Sequence, residues 1–455
     1  MLHFFWLFTL LFFWISYAIF TKGRLTRHLG FFHFLLYFFA IYLSSFSIYE
    51  MGGSVNHDYI TSVMLYPILS LLGMIFASLF GSKVYFLRLP IAANRKEVRL
   101  VSIIVAGFLI VYIFYLYGLW PNVPLLITLS GEDPMKGHMG RYLATKGYDN
   151  SILGLKFLYW LPRILIDYFS IFVAVFAYHN LQKKIADCAK LILIVSGLIL
   201  LGMLSNEKYP AVKLFMLLAL CHFNAKYETF GLRTIGASSR IVVAGLAVGS
   251  GVYALVSGAF AELAGLSLSA IPGFIIKVLL LPLLTMRGMV GQSYPLYRIY
   301  EIIPAQYDHF WGRTFSNPHG ILPYVPVALP YLIYDSYNLP AAGDLKGADP
   351  TVFFGEIYAN FALPISLISM FLFGFLIQII NSKLCDNIGK YRKPFDIAFF
   401  YLLMAYIGDF AIGFSVPYFD ERLYFFAGIY LLRNILSARA DEQISTRRWV
   451  QIGAT

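Results

Sequence analysis

The sequence predicts an all-α polytopic membrane protein, and three observations predict it. Of 455 residues, 59% are hydrophobic and only 13% charged, about half the charged share of a soluble chain. The apolar residues fall in repeated segments close to the twenty or so needed to cross a hydrocarbon core. The basic residues gather in alternate connections between those segments, which is the bias of loops that stay in the cytoplasm.

Taken in order, about 11 transmembrane helices are predicted, at 2–20, 31–48, 60–80, 100–118, 157–179, 191–204, 211–224, 241–260, 362–381, 395–414 and 417–434. The first, "LHFFWLFTLLFFWISYAIF", is followed by Lys22, Arg24 and Arg27. A cleaved signal peptide has the opposite charge order and a shorter apolar core, so a retained span with its N-terminus outside is expected. Strict alternation then leaves the C-terminus cytoplasmic. The inner connections of this scheme (22–27, 83–99, 183–190, 226–240, 383–393 and 433–448) hold 22 of the 35 Lys and Arg residues. The net charge of +11 therefore reads as membrane topology, and no nucleic-acid module accompanies it. Cys188, Cys221 and Cys385 lie outside the long outer loops, so no disulfide framework is implied.

Residues 1–455 thus form a single integral membrane domain with two long outer segments, a first outer loop at 119–156 and a large one at 261–361. Loops of such length in a compact protein are usually functional. Within the second, "IPGFIIKVLLLPLLTMRGMVGQSYPLYRIYEIIP" is apolar but interrupted by Pro272, Pro282, Gly288, Gly291 and Pro295. That pattern predicts re-entrant or interfacial helices lining a protein cavity. Seven prolines in 304–350 predict a non-helical cap. Its aromatic residues, among them Tyr307, Trp311 and Tyr324, suit an interfacial belt first and sugar-stacking platforms second.

The large loop also holds the residues with chemical potential. Arg287 and Arg298 are eleven residues apart, which is three helical turns and about 16 Å along one face. Arg313 follows in "WGRTF". Guanidinium forks grip pyrophosphate in bidentate, charge-assisted fashion and stay ionised in a partly dry cavity; for any one of them, snorkelling to lipid headgroups is the alternative. Arg141 in the first loop and Lys208 in "SNEKYP" add outer cations. Arg163 and Asp167 form an i,i+4 set, for which an internal ion pair is expected ahead of a cavity-facing role. The outer acids are Glu301, Asp308, Asp344, Asp349 and Glu356, each able to act as a general base or to pair with an arginine. Glu356 also suits the positive end of a helix. The histidines, His319 among them, lack metal-ligand spacing, and no cofactor motif is present.

Three stretches, in this order, resemble the Wzy-type oligosaccharide repeat-unit polymerases of the O-antigen and capsule polymerase family. "SNEKYPAVKLFMLLAL" is similar to a family run with Lys and Pro at the outer start of a span. "RGMVGQSYPLYRIYEIIPAQYDHFWGRTF" resembles its arginine-bearing outer segment with a Gly-x-Thr-aromatic element. "PTVFFGEIYANFALP" looks like its Gly-Glu-aromatic-x-Asn-Phe signature, with Ala362 where members often carry glycine. The resemblance implies a membrane glycosyltransferase of the bacterial inner membrane that joins undecaprenyl-pyrophosphate-linked repeat units at the outer face, metal-independent and without a cofactor. It implies substrate-binding roles for Arg287, Arg298, Arg313 and Lys208, and a catalytic role for Glu356; His319 and Asp308 stand behind Glu356 as further candidates for the base that takes the acceptor's proton. Partners would be lipid-linked oligosaccharides, membrane lipids and a polysaccharide chain-length regulator. An O-antigen ligase-type transferase and a non-catalytic carrier of lipid-linked glycan remain the alternatives. Carriers tend to repeat one half in the other, and no such repeat is visible here.

Overall fold

The structure is a computed structural model. It describes residues 2–50, 56–80, 95–120, 123–129, 156–181, 185–204, 209–227, 286–315, 323–336, 352–391, 393–413 and 422–434, the last without 424, 432 and 433. Among these residues every regular element is helical. The predicted span at 241–260 and the interrupted stretch before residue 286 lie outside them.

Helix α1 is Leu2–Phe20, and a 3-10 turn follows at Leu25–Arg27. Helix α2 (Phe31–Tyr37) runs through a π turn (Phe38–Tyr42) into α3 (Leu43–Glu50). Next come α4 (His57–Leu79), α5 (Arg95–Leu119) and the short α6 (Pro124–Leu129). They are followed by α7 (Lys156–Asn180), α8 (Ile185–Met203) and α9 (Tyr209–Lys226). In the C-terminal part lie α10 (Met286–Ile302), α11 (Leu329–Asp335), α12 (Phe353–Tyr391) and α13 (Pro394–Asp409). Helices occupy the predicted apolar segments wherever those are described. The segment expected from 191 begins earlier, at Ile185, with partly buried Asp187 and exposed Lys190 paired in its first turns.

Among the described residues three helices are long and apolar enough to cross a membrane: His57–Leu79, Arg95–Tyr117 and Phe353–Asp386. Their outward faces are apolar, and that of α1 is too. Helix α5 exposes Ile103, Ile110, Ile113, Phe114 and Tyr117 on one face, and α1 exposes Phe4, Leu7, Phe8, Leu11, Ile15 and Ile19. Water would penalise apolar faces of that extent; a hydrocarbon solvent does not.

Two crossings organise the interior. Helices α4 and α12 meet at glycines: a Cβ on Gly73 would lie 2.0 Å from the Phe371 carbonyl oxygen, and one on Gly374 would lie 1.8 Å from that of Ser70. Small residues let the backbones approach this closely, and Ser70 Oγ donates to the Met370 carbonyl at 3.1 Å. The other centre is α13, whose residues 394–402 are all buried. It packs on α2, α7 and α9, and the Phe172 and Phe395 rings meet edge-on at 5.1 Å.

Helix α12 is not straight. Its backbone leaves the helical region at Ala362 (φ 64°, ψ −179°). In an unbroken helix Phe353 and Phe373 would stand about 30 Å apart, yet their rings are 4.6 Å from centroid to centroid. Ser366 Oγ donates to the Phe354 carbonyl at 2.9 Å, twelve residues back. Residues 353–361 are therefore a half-helix folded back along the first turns of the segment that follows. Residues 363–386 alone, about 36 Å of helix, retain membrane-crossing length.

Candidate functional site

The half-helix carries Glu356 to the loop after α10. Glu356 is 5% exposed and lies in the first turn of α12, where the helix dipole favours a carboxylate. Its Oε1 accepts the Thr314 hydroxyl at 2.9 Å. One turn on, fully buried Asn360 donates from Nδ2 to Thr314 Oγ1 (2.6 Å) and to the Glu356 carbonyl (2.8 Å). Its Oδ1 accepts the Gly312 N–H at 2.7 Å and the Thr314 N–H at 3.4 Å. Backbone bonds complete the lock, with Phe310 N donating to Ala359 O and Trp311 N to Asn360 O. A turn with positive φ at Trp311 (52°) and Gly312 (89°) thus has its amide hydrogens satisfied by the end of a helix. Arg313 is exposed at its tip, and Asp308 is exposed on the approach to it.

The other predicted cations divide. Arg287 and Arg298 belong to one helix, α10, as their spacing requires. Arg298 is partly buried: Nε donates to Ser336 Oγ (2.9 Å), Nη2 to the Ser336 carbonyl (2.7 Å) and Nη1 to Glu301. Two of these bonds tie α10 to the end of α11, and the third stays within α10. Burial, and then the Glu301 carboxylate beside it, hold the Tyr297 phenol above its ordinary value, so it stays protonated. The side chains of Arg163 and Arg287, together with Arg141, Lys208 and His319, lie outside the described residues.

A second polar centre sits where α7, α9 and α13 meet. Lys213 is fully buried and forms ion pairs with Asp409 Oδ2 at 2.8 Å and with Asp167. Tyr209 donates to Asp409 Oδ1 at 2.7 Å, and Tyr168 donates to Oδ2. The ammonium stands 4.2 Å from the Tyr168 ring centroid and 4.8 Å from that of Tyr209. The Arg422 guanidinium lies 5.9 Å from the rings of Tyr168 and Tyr406, within cation–π range. Two carboxylates and two cations keep the cluster neutral overall, which is what permits its burial.

Asp167 finds a partner in Lys213, supplied by another helix; the expected pairing with Arg163 rests on a side chain outside the described residues. Sequence reasoning passed over Asp409 and Lys213 as a pair, although each is an ionisable residue inside an apolar segment, the signal that marks such sites. Thr314 was visible only as part of a motif. Among the described residues no grouping of three or more His, Cys, Asp or Glu side chains is placed to hold a metal ion.

Comparison with known proteins finds no match to this chain: no family model, no curated protein and no solved structure aligns with it.

Proposed function

We propose that the chain polymerises oligosaccharide repeat units carried on undecaprenyl pyrophosphate, at the outer face of the bacterial inner membrane, with an outside N-terminus and about eleven spans. The observation that carries this reading is the meeting of two stretches far apart in the sequence. "WGRTF" and "FFGEIYANF", both of which resemble polymerase motifs, share one buried hydrogen-bond unit of Thr314, Glu356 and Asn360, with Arg313 exposed above it.

In the proposed reaction the bond between the anomeric carbon of the growing glycan and its pyrophosphate oxygen breaks. A bond forms to a hydroxyl of the incoming lipid-linked unit, whose proton passes to a base. Negative charge grows on the departing pyrophosphate, and a cation held at that point lowers the barrier. Arg313 is assigned that place, and Arg287 and Arg298 of α10 are proposed as further cations for the same substrate. Because its carboxylate accepts from Thr314, Glu356 is read as the residue that positions the arginine-bearing loop. Asp308, exposed on the same loop, and His319 are then the candidate bases.

A second reading has its own support. A broken helix and a buried charge cluster are features of carriers as well, so transport of a lipid-linked glycan is the alternative. Purified protein in a bilayer, given a lipid-linked repeat unit alone, should produce a ladder of longer glycans. A single transfer to a different acceptor would indicate a ligase, and substrate movement without new bonds a carrier. Arg313→Ala should slow ladder formation by about a hundredfold or more, with the protein still folded; an unchanged ladder would remove Arg313 from the reaction.

A further inference from the structure

The last carbonyls of the half-helix are taken up by consecutive residues of the loop after α10. Phe310 N and Trp311 N donate to the carbonyls of Ala359 and Asn360, and His309 reaches that of Tyr358 with Nδ1 at 3.1 Å. A carbonyl only accepts, so Nδ1 carries the proton and, in the neutral ring, Nε2 carries the lone pair. The ring is also held edge-on against Tyr358, with centroids 5.7 Å apart and planes at 80°. Among the described residues Nε2 has no hydrogen-bond partner, and it is not sealed from solvent.

Capping a helix end is the ordinary explanation for a donor at that place, but a cap needs one N–H and leaves the rest of the side chain unspecified. The buried histidines show how a structural imidazole is used here. His28 engages Tyr17 and Gln378 through its two nitrogens, and His33 engages the Ile407 carbonyl and Tyr66. His309 is fixed in ring orientation and tautomer while one basic nitrogen stays open, which is the arrangement of a general base. Its neighbour Asp308 has no such orientation, since its exposed carboxylate forms no hydrogen bond or ion pair among the described residues. Just beyond His309 the loop turns sharply. Arg313 N donates to the Phe310 carbonyl at 3.1 Å, closing a turn whose end Cα atoms lie within about 7 Å. His309 and the exposed Arg313 thus flank one turn.

We infer that His309 Nε2 is the base that takes the proton of the acceptor hydroxyl. The inference rests on the proposed polymerase reading. As the anomeric carbon parts from its pyrophosphate oxygen, which keeps the bonding electrons, the hydroxyl oxygen bonds that carbon and its proton passes to Nε2. The imidazolium so formed keeps its Nδ1–H bond to the Tyr358 carbonyl, at the negative end of the half-helix dipole, and returns the proton to water. Asparagine can offer an N–H where Nδ1 now stands, but no base. In the full chain in a bilayer, His309→Asn should therefore lower kcat for ladder formation by about a hundredfold or more. Its KM and unfolding midpoint should stay close to wild type, and the acid limb of its pH profile should vanish. Added imidazole should restore part of the rate lost in His309→Ala. A loss confined to Asp308→Asn, with His309→Asn active, overturns the assignment. Should neither His309 variant fold, wild-type protein answers through carbethoxylation. Acylation at His309, located by mass spectrometry, should stop the ladder, and a ladder that survives it overturns the base. No ladder from wild type removes the polymerase reading and the base together, whereas a wild-type ladder that His309→Asn matches removes the base alone.

Discussion

The helices α9 and α13 each carry two buried polar regions, and the two are compensated in different ways. At one end Asn224 on α9 donates to the Thr26 carbonyl (2.9 Å) and the Tyr401 hydroxyl (2.8 Å), and accepts from Thr26 Oγ1 (2.7 Å). Arg27 donates to the carbonyls of Asn224 and Tyr227 at the end of α9, where the helix dipole favours a cation. Nearby, His28 accepts from Tyr17 at Nδ1 and donates from Nε2 to Gln378, while Asn381 accepts the Leu29 N–H. Apart from the Arg27 guanidinium, which backbone carbonyls receive, amides, hydroxyls and carbonyls satisfy one another there, and the side-chain partners of Asn224 are all neutral. About three turns away along α9 lies Lys213, whose only strong compensation is the charge of Asp167 and Asp409. Neutral networks tolerate loss of a member far better than ionised ones, because what is left behind is a dipole rather than a charge.

The largest expected effect therefore falls on the ionised region. Lys213→Met leaves two carboxylates facing one another in a buried place and should destabilise the protein by about 3–5 kcal/mol, read as a fall in thermal unfolding midpoint in detergent. Adding Asp167→Asn and Asp409→Asn to that variant should recover most of the loss. Failure of the triple variant to recover would mean that the cluster acts through packing, and the contrast between the two regions would be broken.

Asn224→Ala tests the neutral end. It removes three side-chain hydrogen bonds but leaves only neutral partners, so a cost of about 1–3 kcal/mol is expected. The same unfolding measurement gives the answer. A loss as large as that of Lys213→Met would show that charge is not what separates the regions.

The difference in legibility between these regions has a physical origin. Placement of the long apolar helices was readable because hydropathy over about twenty residues is a local property. Helix α11 (Leu329–Asp335) instead corrects the non-helical cap expected at 304–350, since Pro330 sits in its first turn, where proline is tolerated. The Gly-Glu motif was readable as a candidate because its residues are contiguous in "PTVFFGEIYANFALP", the stretch that resembles the polymerase signature. What Glu356 touches was not readable, since Thr314 arrives from a loop 42 residues earlier. Asp167 was assigned a neighbour on its own helix; its partner Lys213 is brought by the packing of α9 on α7, which no spacing encodes. The fold-back of α12 had one local clue, the Ala-Leu-Pro run at 362–364, but a proline there is equally compatible with the first turn of an ordinary span.

That fold-back gives the smallest prediction, one that should leave both polar regions untouched. Ala362 holds φ 64° and ψ −179°, a conformation that glycine adopts freely and a Cβ penalises by about 1–3 kcal/mol. Glycine adds flexibility to the unfolded chain, worth about 0.5–1 kcal/mol in the opposite sense. Ala362→Gly should therefore stabilise the protein by about 1 kcal/mol, seen as a small rise in the unfolding midpoint with the ladder assay unchanged. The sign matters more than the size. A clear fall would mean that the alanine methyl contributes packing that outweighs the backbone strain. The half-helix would then be held in place by that contact as well as by Asn360, and the loop bearing Trp311 and Arg313 would depend on both.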